Sequence, residues 1–321
     1  MLTPVLGTML IVMKRLFIAS RGNPEQMAEM FRKELPDHEV FTQQPQRDDA
    51  PVPYIVVGRP TPGVIAAVPG LELVLSLNAG IEHLLASGEV PDHLPIVRLV
   101  DDGLADGMSD WVLGHALAWH RNFALYREQQ LKGEWAPLSE KLARERVVTV
   151  LGAGALGAQV AGHFVRFSFN TRVWSRSGRA VDGAQSFAGG DQLHQAVAGA
   201  DILVNLLPLT AETADLVDAS VIAALAPGAF FINGARGGHV VDADLIAALD
   251  SGQLSGAALD VFRTEPLPSE DPLWHHPKIL LSPHVAAPTH AHTAVAEMAE
   301  NIRRFERGEP LPHLVDRTLG N

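Results

Sequence analysis

Val147-Val148-Thr149-Val150-Leu151-Gly152-Ala153-Gly154-Ala155-Leu156-Gly157 is the stretch that decides the fold of this chain. Its first five residues are apolar or β-branched and read as a strand; the next six satisfy Gly-x-Gly-x-x-Gly; Val160 and Phe164 then fall on one face of a helix. Strand, glycine turn and helix in that order open a dinucleotide-binding α/β unit. Gly152 permits the tight turn, Gly154 lets backbone approach a pyrophosphate, and Gly157 lets the helix pack on the strand, while Ala155 and Leu156 lie where free N–H groups hold an anion. A glycine turn with no ligand is the plainer alternative, and the flanking strand and helix weigh against it.

Downstream of the turn the alternation continues through TRVWS (171–175), DILVNLLP (201–208), AFFINGA (229–235), GAALDVF (256–262) and KILLSPHV (278–285). Upstream, RLFIAS (15–20), PEQMAEMFRKEL (24–35), EVFT (39–42), YIVVG (54–58) and LELVLSLN (71–78) form an earlier series of the same kind. Strands this apolar suit parallel sheets covered on both faces. The expected fold is therefore α/β, with two doubly wound parallel-sheet domains, Rossmann-like and flavodoxin-like, and a cleft between them. A helical stretch from about Leu104 to Tyr126 and the irregular KGEWAPLSEKL (132–142) separate the two series. The first crossover is read near Asp110 and the second after Pro288, since the last helix, THAHTAVAEMAENIRRFERG (289–308), can return to the first lobe. That makes 1–109 plus 289–321 a discontinuous substrate-binding domain and 110–288 the dinucleotide-binding domain.

Composition agrees with two globular cores. The 321 residues exceed what one core usually organises, and 47% hydrophobic with 19% charged is a folded balance. A net charge of −12 argues against nucleic acid or an anionic membrane as partner, but leaves room for a small anion that needs only one or two cations. With no Cys, thiolate metal sites, disulfides and cysteine nucleophiles are excluded together; no metal site is expected, and a cytoplasmic location fits. The apolar lead from Met1 to Met13 lacks a preceding cationic segment, which disfavours a secretory signal, and either methionine is a plausible start.

A site that prefers NAD usually carries Asp or Glu about 20 residues past the glycine turn, for the ribose 2′-hydroxyl. Here no acid occurs from Ala158 to Val181, and the second strand ends in Ser175-Arg176-Ser177-Gly178-Arg179. Two guanidinium groups and two hydroxyls suit a 2′-phosphate, so NADP(H) is the expected cofactor, with NAD(H) possible.

Three further residues each follow a strand of the second series, where ligands of open α/β sheets gather. Arg236, among the glycines of NGARGG (233–238), can bind a carboxylate and polarise a ketone with its planar fork. His284, in SPHVAAP (282–288), can donate a proton near neutral pH, since an ordinary imidazole titrates at about 6.5. Glu265 can stabilise the imidazolium. Singly each has a bland reading as a surface ion or a structural His; together they meet the needs of 2-oxo acid reduction.

The runs VTVLGAGALG (148–157), VNLLPLTAET (204–213), FINGARGGHVVD (231–242), ALDVFRTEPLP (258–268) and LSPHVAAPT (281–289) occur in the order of the D-isomer-specific 2-hydroxyacid dehydrogenase family, and the sequence resembles its glyoxylate and hydroxypyruvate reductase branch most. The resemblance implies that Arg236 binds substrate, that His284 is the proton donor beside the cofactor with Glu265 as its partner, that Asp260 contacts the nicotinamide carboxamide, and that Leu207, Pro208 and Ala235 line the cofactor. It implies a backbone carboxylate site at Asn78-Ala79-Gly80-Ile81; Asn78 and Glu82 depart from the commonest residues there, and a plain strand-to-helix turn is the alternative. It also implies a homodimer built on the helical arm, with Trp135 facing the partner or the cleft. The activity implied is NADPH-dependent reduction of a small 2-oxo acid to the D-2-hydroxy acid. Alternatives are a dehydrogenase for another acid such as phosphoglycerate, and a non-catalytic dinucleotide sensor. Formate chemistry is disfavoured, because the family's formate enzymes carry Gln where Glu265 stands.

Overall fold

The computed structural model describes residues 13–20 and 22–317; the rest of the lead segment discussed above lies outside them. The chain divides into two compact units, Met1–Asp101 with Thr289–Asn321, and Asp102–Pro288.

Unit 1 begins with β1 (Lys14–Ala19), α1 (Pro24–Glu34), β2 (His38–Phe41), β3 (Tyr54–Val57), β4 (Leu73–Ser76), α2 (Glu82–Ser87) and β5 (Ile96–Arg98). The start of α1 follows from its sequence: the Asn23 side chain accepts the Gln26 N–H at 3.1 Å, and Pro24 occupies the first turn, where no N–H is needed. The five strands are parallel in the order β2-β1-β3-β4-β5, the flavodoxin-like arrangement. All residues of the inner strands β3 and β4 are buried, because helices cover both faces.

Unit 2 opens with α3 (Asp102–His120), so the unit boundary falls at the start of this helix and Asp110, where the first crossover was read, lies inside it. The helical stretch read as continuous to Tyr126 is broken: α4 (Phe123–Lys132) begins anew after Asn122, whose φ of 56° is left-handed and ends the ladder. The sheet elements follow as β6 (Val147–Leu151), α5 (Ala155–Arg166), β7 (Asn170–Ser175), β8 (Gln185–Ala188), α6 (Leu193–Val197), β9 (Ile202–Asn205), α7 (Ala219–Ala223), β10 (Ala229–Asn233), α8 (Asp242–Ser251), β11 (Leu254–Leu259) and β12 (Ile279–Leu281). Seven parallel strands run β12-β11-β10-β9-β6-β7-β8, so the order reverses between β6 and β9. The alternation of side chains builds two layers. Val148, Val150, Ile202, Val204, Phe230 and Ile232 pack with α3 and α5, whereas Leu151, Leu203 and Phe231 pack with α6, α7 and α8.

The chain then returns to unit 1 as α9 (Ala291–Glu306), which lies against α1 and turns Ala294, Val295, Met298 and Ile302 inward. Among the described residues no helix is long and apolar enough to cross a membrane.

Candidate active site

The glycine turn lies at the C-terminal end of β6, beside the point where strand order reverses. Gly152 and Gly157 are each there for a steric reason. Gly152 has φ of 110°, and a Cβ on it would approach the Leu206 carbonyl oxygen to 2.7 Å. A Cβ on Gly157 would lie 2.0 Å from the Gly152 carbonyl oxygen, so only glycine lets the helix come this close. On Gly154 a Cβ would meet nothing, which leaves open space over the turn. Gly154 is also the N-cap of α5, and no side chain caps it, so the N–H groups of the first turn, where Ala155 and Leu156 sit, are directed outward. An open cradle over an uncapped helix start fits a pyrophosphate.

At the end of β7, Ser175 is buried and its hydroxyl accepts the Arg179 N–H at 3.2 Å, which folds the loop back on itself. Arg176, Ser177 and Arg179 are exposed on it. Arg176 approaches Glu212 at 3.7 Å, with both side chains more than half exposed, so this pair is weak. A loop with two exposed guanidiniums and no acid of its own fits a phosphate monoester better than a ribose diol.

Asn205 and Asn233 end the neighbouring strands β9 and β10, in register with each other. The Asn205 amide donates to Asn233 Oδ1 at 3.0 Å, Asn205 Oδ1 accepts the Leu207 N–H, Asn233 Oδ1 accepts the Ala235 N–H, and Asn233 Nδ2 donates to the Arg236 carbonyl at 3.0 Å. Two buried amides thus shape both loops that carry Leu207, Pro208, Ala235 and Arg236. Sequence reasoning passed over them; polar residues closing two otherwise apolar strands were the available signal. Arg236 is extended and half-buried, and its guanidinium donates to the Ala235 carbonyl at 2.6 Å.

His284 and Glu265 meet. His284 Nδ1 lies 2.7 Å from Glu265 Oε2, while Glu265 Oε1 accepts the Phe262 N–H at 3.0 Å. Both side chains keep solvent access, at 37% and 25%. His284 has φ of 54°, a conformation L-residues seldom adopt, and Asp260 maintains it. The Asp260 carbonyl accepts the His284 N–H at 2.8 Å. The Asp260 carboxylate, buried, accepts from Ser282 Oγ, Val285 N and Ala286 N at 2.6–2.9 Å. Trp111 Nε1 donates to Ser282 Oγ at 3.1 Å behind it. Arg236, Asp260 and His284 follow the adjacent parallel strands β10, β11 and β12, so all three stand at one edge of the sheet, the edge that carries the glycine turn.

The Asn78–Ile81 turn belongs to unit 1. Its shape is fixed by the Asn78 amide on the Gly58 carbonyl at 3.1 Å, the Leu99 N–H on the Asn78 carbonyl, and the Asn78 N–H on Ser76 Oγ. Ala79 and Gly80 are half-exposed and Ile81 is buried. Among the described residues no group of three or more His, Asp or Glu is placed to hold a metal ion.

Residues 113–286 match the profile of the family described as D-isomer specific 2-hydroxyacid dehydrogenase, NAD binding domain. Among curated relatives, the glyoxylate/hydroxypyruvate reductase A of Serratia proteamaculans (strain 568) is 41% identical over 303 residues, covering 93% of this chain and 96% of the relative. The protein of that name from Klebsiella pneumoniae (strain 342) is 42% identical over 278 residues, 85% of this chain and 89% of the relative. Two solved structures superpose with a TM-score of 0.90: a Xanthobacter autotrophicus Py2 D-isomer specific 2-hydroxyacid dehydrogenase in complex with NADPH and MES, 37% identical, over 96% of this chain and 99% of that one; and an NADPH-dependent glyoxylate/hydroxypyruvate reductase from Sinorhizobium meliloti in complex with NADP and sulfate, 34% identical, over 96% of this chain and all of that one. With its two parallel sheets, glycine turn and matching profile, the chain belongs to the D-isomer-specific 2-hydroxyacid dehydrogenase family.

Proposed function

We propose that this chain is a cytoplasmic, homodimeric reductase that uses NADPH to convert a small 2-oxo acid of the glyoxylate or hydroxypyruvate type into the D-2-hydroxy acid. The observation that carries the reading is the 2.7 Å contact between His284 Nδ1 and Glu265, on the sheet edge that also bears Arg236 and the glycine turn. Support for the substrate and nucleotide comes from the reductase names of the relatives and the NADPH and NADP in the two superposed structures.

Gly152, Gly154, Ala155, Leu156 and Gly157 would hold the pyrophosphate, Ser175, Arg176, Ser177 and Arg179 the 2′-phosphate, and Leu207, Pro208, Ala235 and Asp260 the nicotinamide end. Bound there, the reduced nicotinamide supplies a hydride to C2 of the substrate. With Nδ1 engaged by Glu265, His284 presents Nε2 as the proton donor to the C2 oxygen, and the developing alkoxide becomes a hydroxyl. Glu265 holds the ring's orientation and stabilises its protonated form. Arg236 binds the carboxylate and draws electron density from the carbonyl. The amides of Ala79, Gly80 and Ile81, in unit 1, are a further group suited to a substrate carboxylate. His284 returns to its starting state by taking a proton from solvent.

The test is an initial-rate screen with NADPH and NADH across glyoxylate, hydroxypyruvate and pyruvate. The expected result is NADPH consumption with glyoxylate or hydroxypyruvate, lowered at least about 100-fold by His284→Ala or by Arg236→Ala with the fold intact. Near-normal rates in either variant would remove the assignment, and a silent panel with intact NADPH binding would leave a dinucleotide sensor.

A further inference from the structure

One residue close to this machinery has a geometry that the reaction does not explain. His239 is fully buried in the turn after Arg236, with Nδ1 3.1 Å from the Arg236 carbonyl oxygen and Nε2 3.2 Å from that of Pro208, 31 residues away in sequence. Both carbonyls have other donors: Thr213 Oγ1 reaches Pro208 O at 2.7 Å, and Asn233 Nδ2 reaches Arg236 O at 3.0 Å. The imidazole is therefore not required to satisfy either oxygen. What it adds is a link between two loops.

The segment it sits in is fixed from other sides. A Cβ on Gly237 would fall 1.9 Å from the Phe262 carbonyl carbon, so this turn rests directly on the backbone of the loop that carries Glu265. The Val217 N–H donates to the His239 carbonyl at 2.8 Å, and the Asp215 N–H to that of Gly238 at 2.9 Å. Against that rigid bed the ring is the piece that spans to Pro208.

We propose that His239 is a positioning residue whose imidazole fastens the Pro208 loop, assigned to the nucleotide, to the main chain of Arg236, assigned to the substrate carboxylate, so that the two binding groups keep one spacing. The proposal rests on the functional reading given above. Displacing a binding group by about 1 Å costs up to 100-fold in a reaction that depends on alignment, so a tether this near the reacting groups registers in the kinetics. Each ring nitrogen is aimed at one carbonyl oxygen, and since a carbonyl only accepts, bonding both at once takes an N–H on each nitrogen, as in the imidazolium. An amide side chain reproduces one end: Gln reaches as far as Nε2, and Asn only as far as Nδ1.

Three variants of the full chain, His239→Leu, His239→Gln and His239→Asn, are compared by NADPH titration, by KM and kcat with glyoxylate, and by thermal melting. His239→Leu is expected to raise both the NADPH Kd and the glyoxylate KM about tenfold, the effect of losing a hydrogen bond of ordinary strength. His239→Gln should keep the NADPH Kd within about twofold of wild type while the glyoxylate KM stays raised, and His239→Asn should do the reverse. The two amide variants carry the test if His239→Leu does not fold. A purely structural histidine would lower the melting temperature and leave both constants unchanged, and that result overturns the proposal. So does a set of variants in which the two constants always move together. Wild-type protein inactive with every 2-oxo acid defeats the functional reading instead; active wild type with unaffected variants defeats only this inference.

Discussion

The proton-donor role proposed for His284 depends on where its ring points, and the main chain sets that direction as firmly as Glu265 does. A histidine at φ of 54° holds its place because Asp260 accepts the N–H groups of residues 284, 285 and 286. At the proposed nucleotide end the groups to test are Arg176 and Arg179. Because the Arg176–Glu212 pair is exposed and costs little to break, the guanidinium can turn to an incoming phosphate. Replacing both arginines with alanine should lower kcat/KM for NADPH at least about tenfold and change that for NADH less than about threefold. Measuring the ratio of the two efficiencies checks it, and an unchanged ratio would show that the loop does not read the 2′-phosphate. The types and spacing of Arg236, Glu265 and His284 were legible in the sequence because their chemistry is carried by side chains. The left-handed backbone at residue 284, the Asn205–Asn233 pair and the tethers on His239 were not, since each depends on segments that meet only after the sheet has formed.

Where α3 hands over to β6, an aromatic and ionic cluster joins three elements. Arg146, just before β6, donates from Nε to His120 Nδ1 at 3.3 Å, pairs with Asp201 at 3.1 Å, and stacks over Trp119 at 4.4 Å. To accept that bond the His120 ring must be neutral. Burial pushes its pKa below the ordinary imidazole range, and the charges of Arg146 and Arg121 push the same way. The sign follows: stability from this ring is full above the unfolded value of about 6.5, and is lost as pH falls from there through the lower folded value. Melting temperatures taken between pH 8 and 5 should therefore fall on the acid side, and His120→Gln should flatten that slope; an unaltered slope would assign the acid sensitivity elsewhere. Apolar runs made the inner strands readable at this scale, as with AFFIN of β10, buried throughout. Short or exposed strands escaped notice: β5 has three residues, and β8 buries only Phe187. The helical stretch read from about Leu104 to Tyr126 divides into α3 and α4 at Asn122, whose left-handed turn periodicity does not announce.

At the scale of the whole molecule, the described helix α4 lacks a hydrophobic seat. None of its residues is buried, and Phe123, Leu131 and the following Trp135 are 61%, 73% and 98% exposed. Apolar side chains presented in this way suit a second copy of the chain. Light scattering should give twice the 34.5 kDa chain mass, and Phe123→Glu with Leu131→Glu should shift it to the monomer without loss of helix content. A monomeric wild type would overturn the dimer assignment.

The discontinuity of unit 1 has a consequence for how the protein is made. During synthesis the strands β1 to β5 leave the ribosome first, yet α9, which seals their sheet beside α1, is translated last. Unit 2 is contiguous and emerges whole, so it can finish folding on the nascent chain while the older segment still waits for its closing helix. A stop codon placed before Ala291 would thus spare the nucleotide-binding half and strand the half that was made earliest.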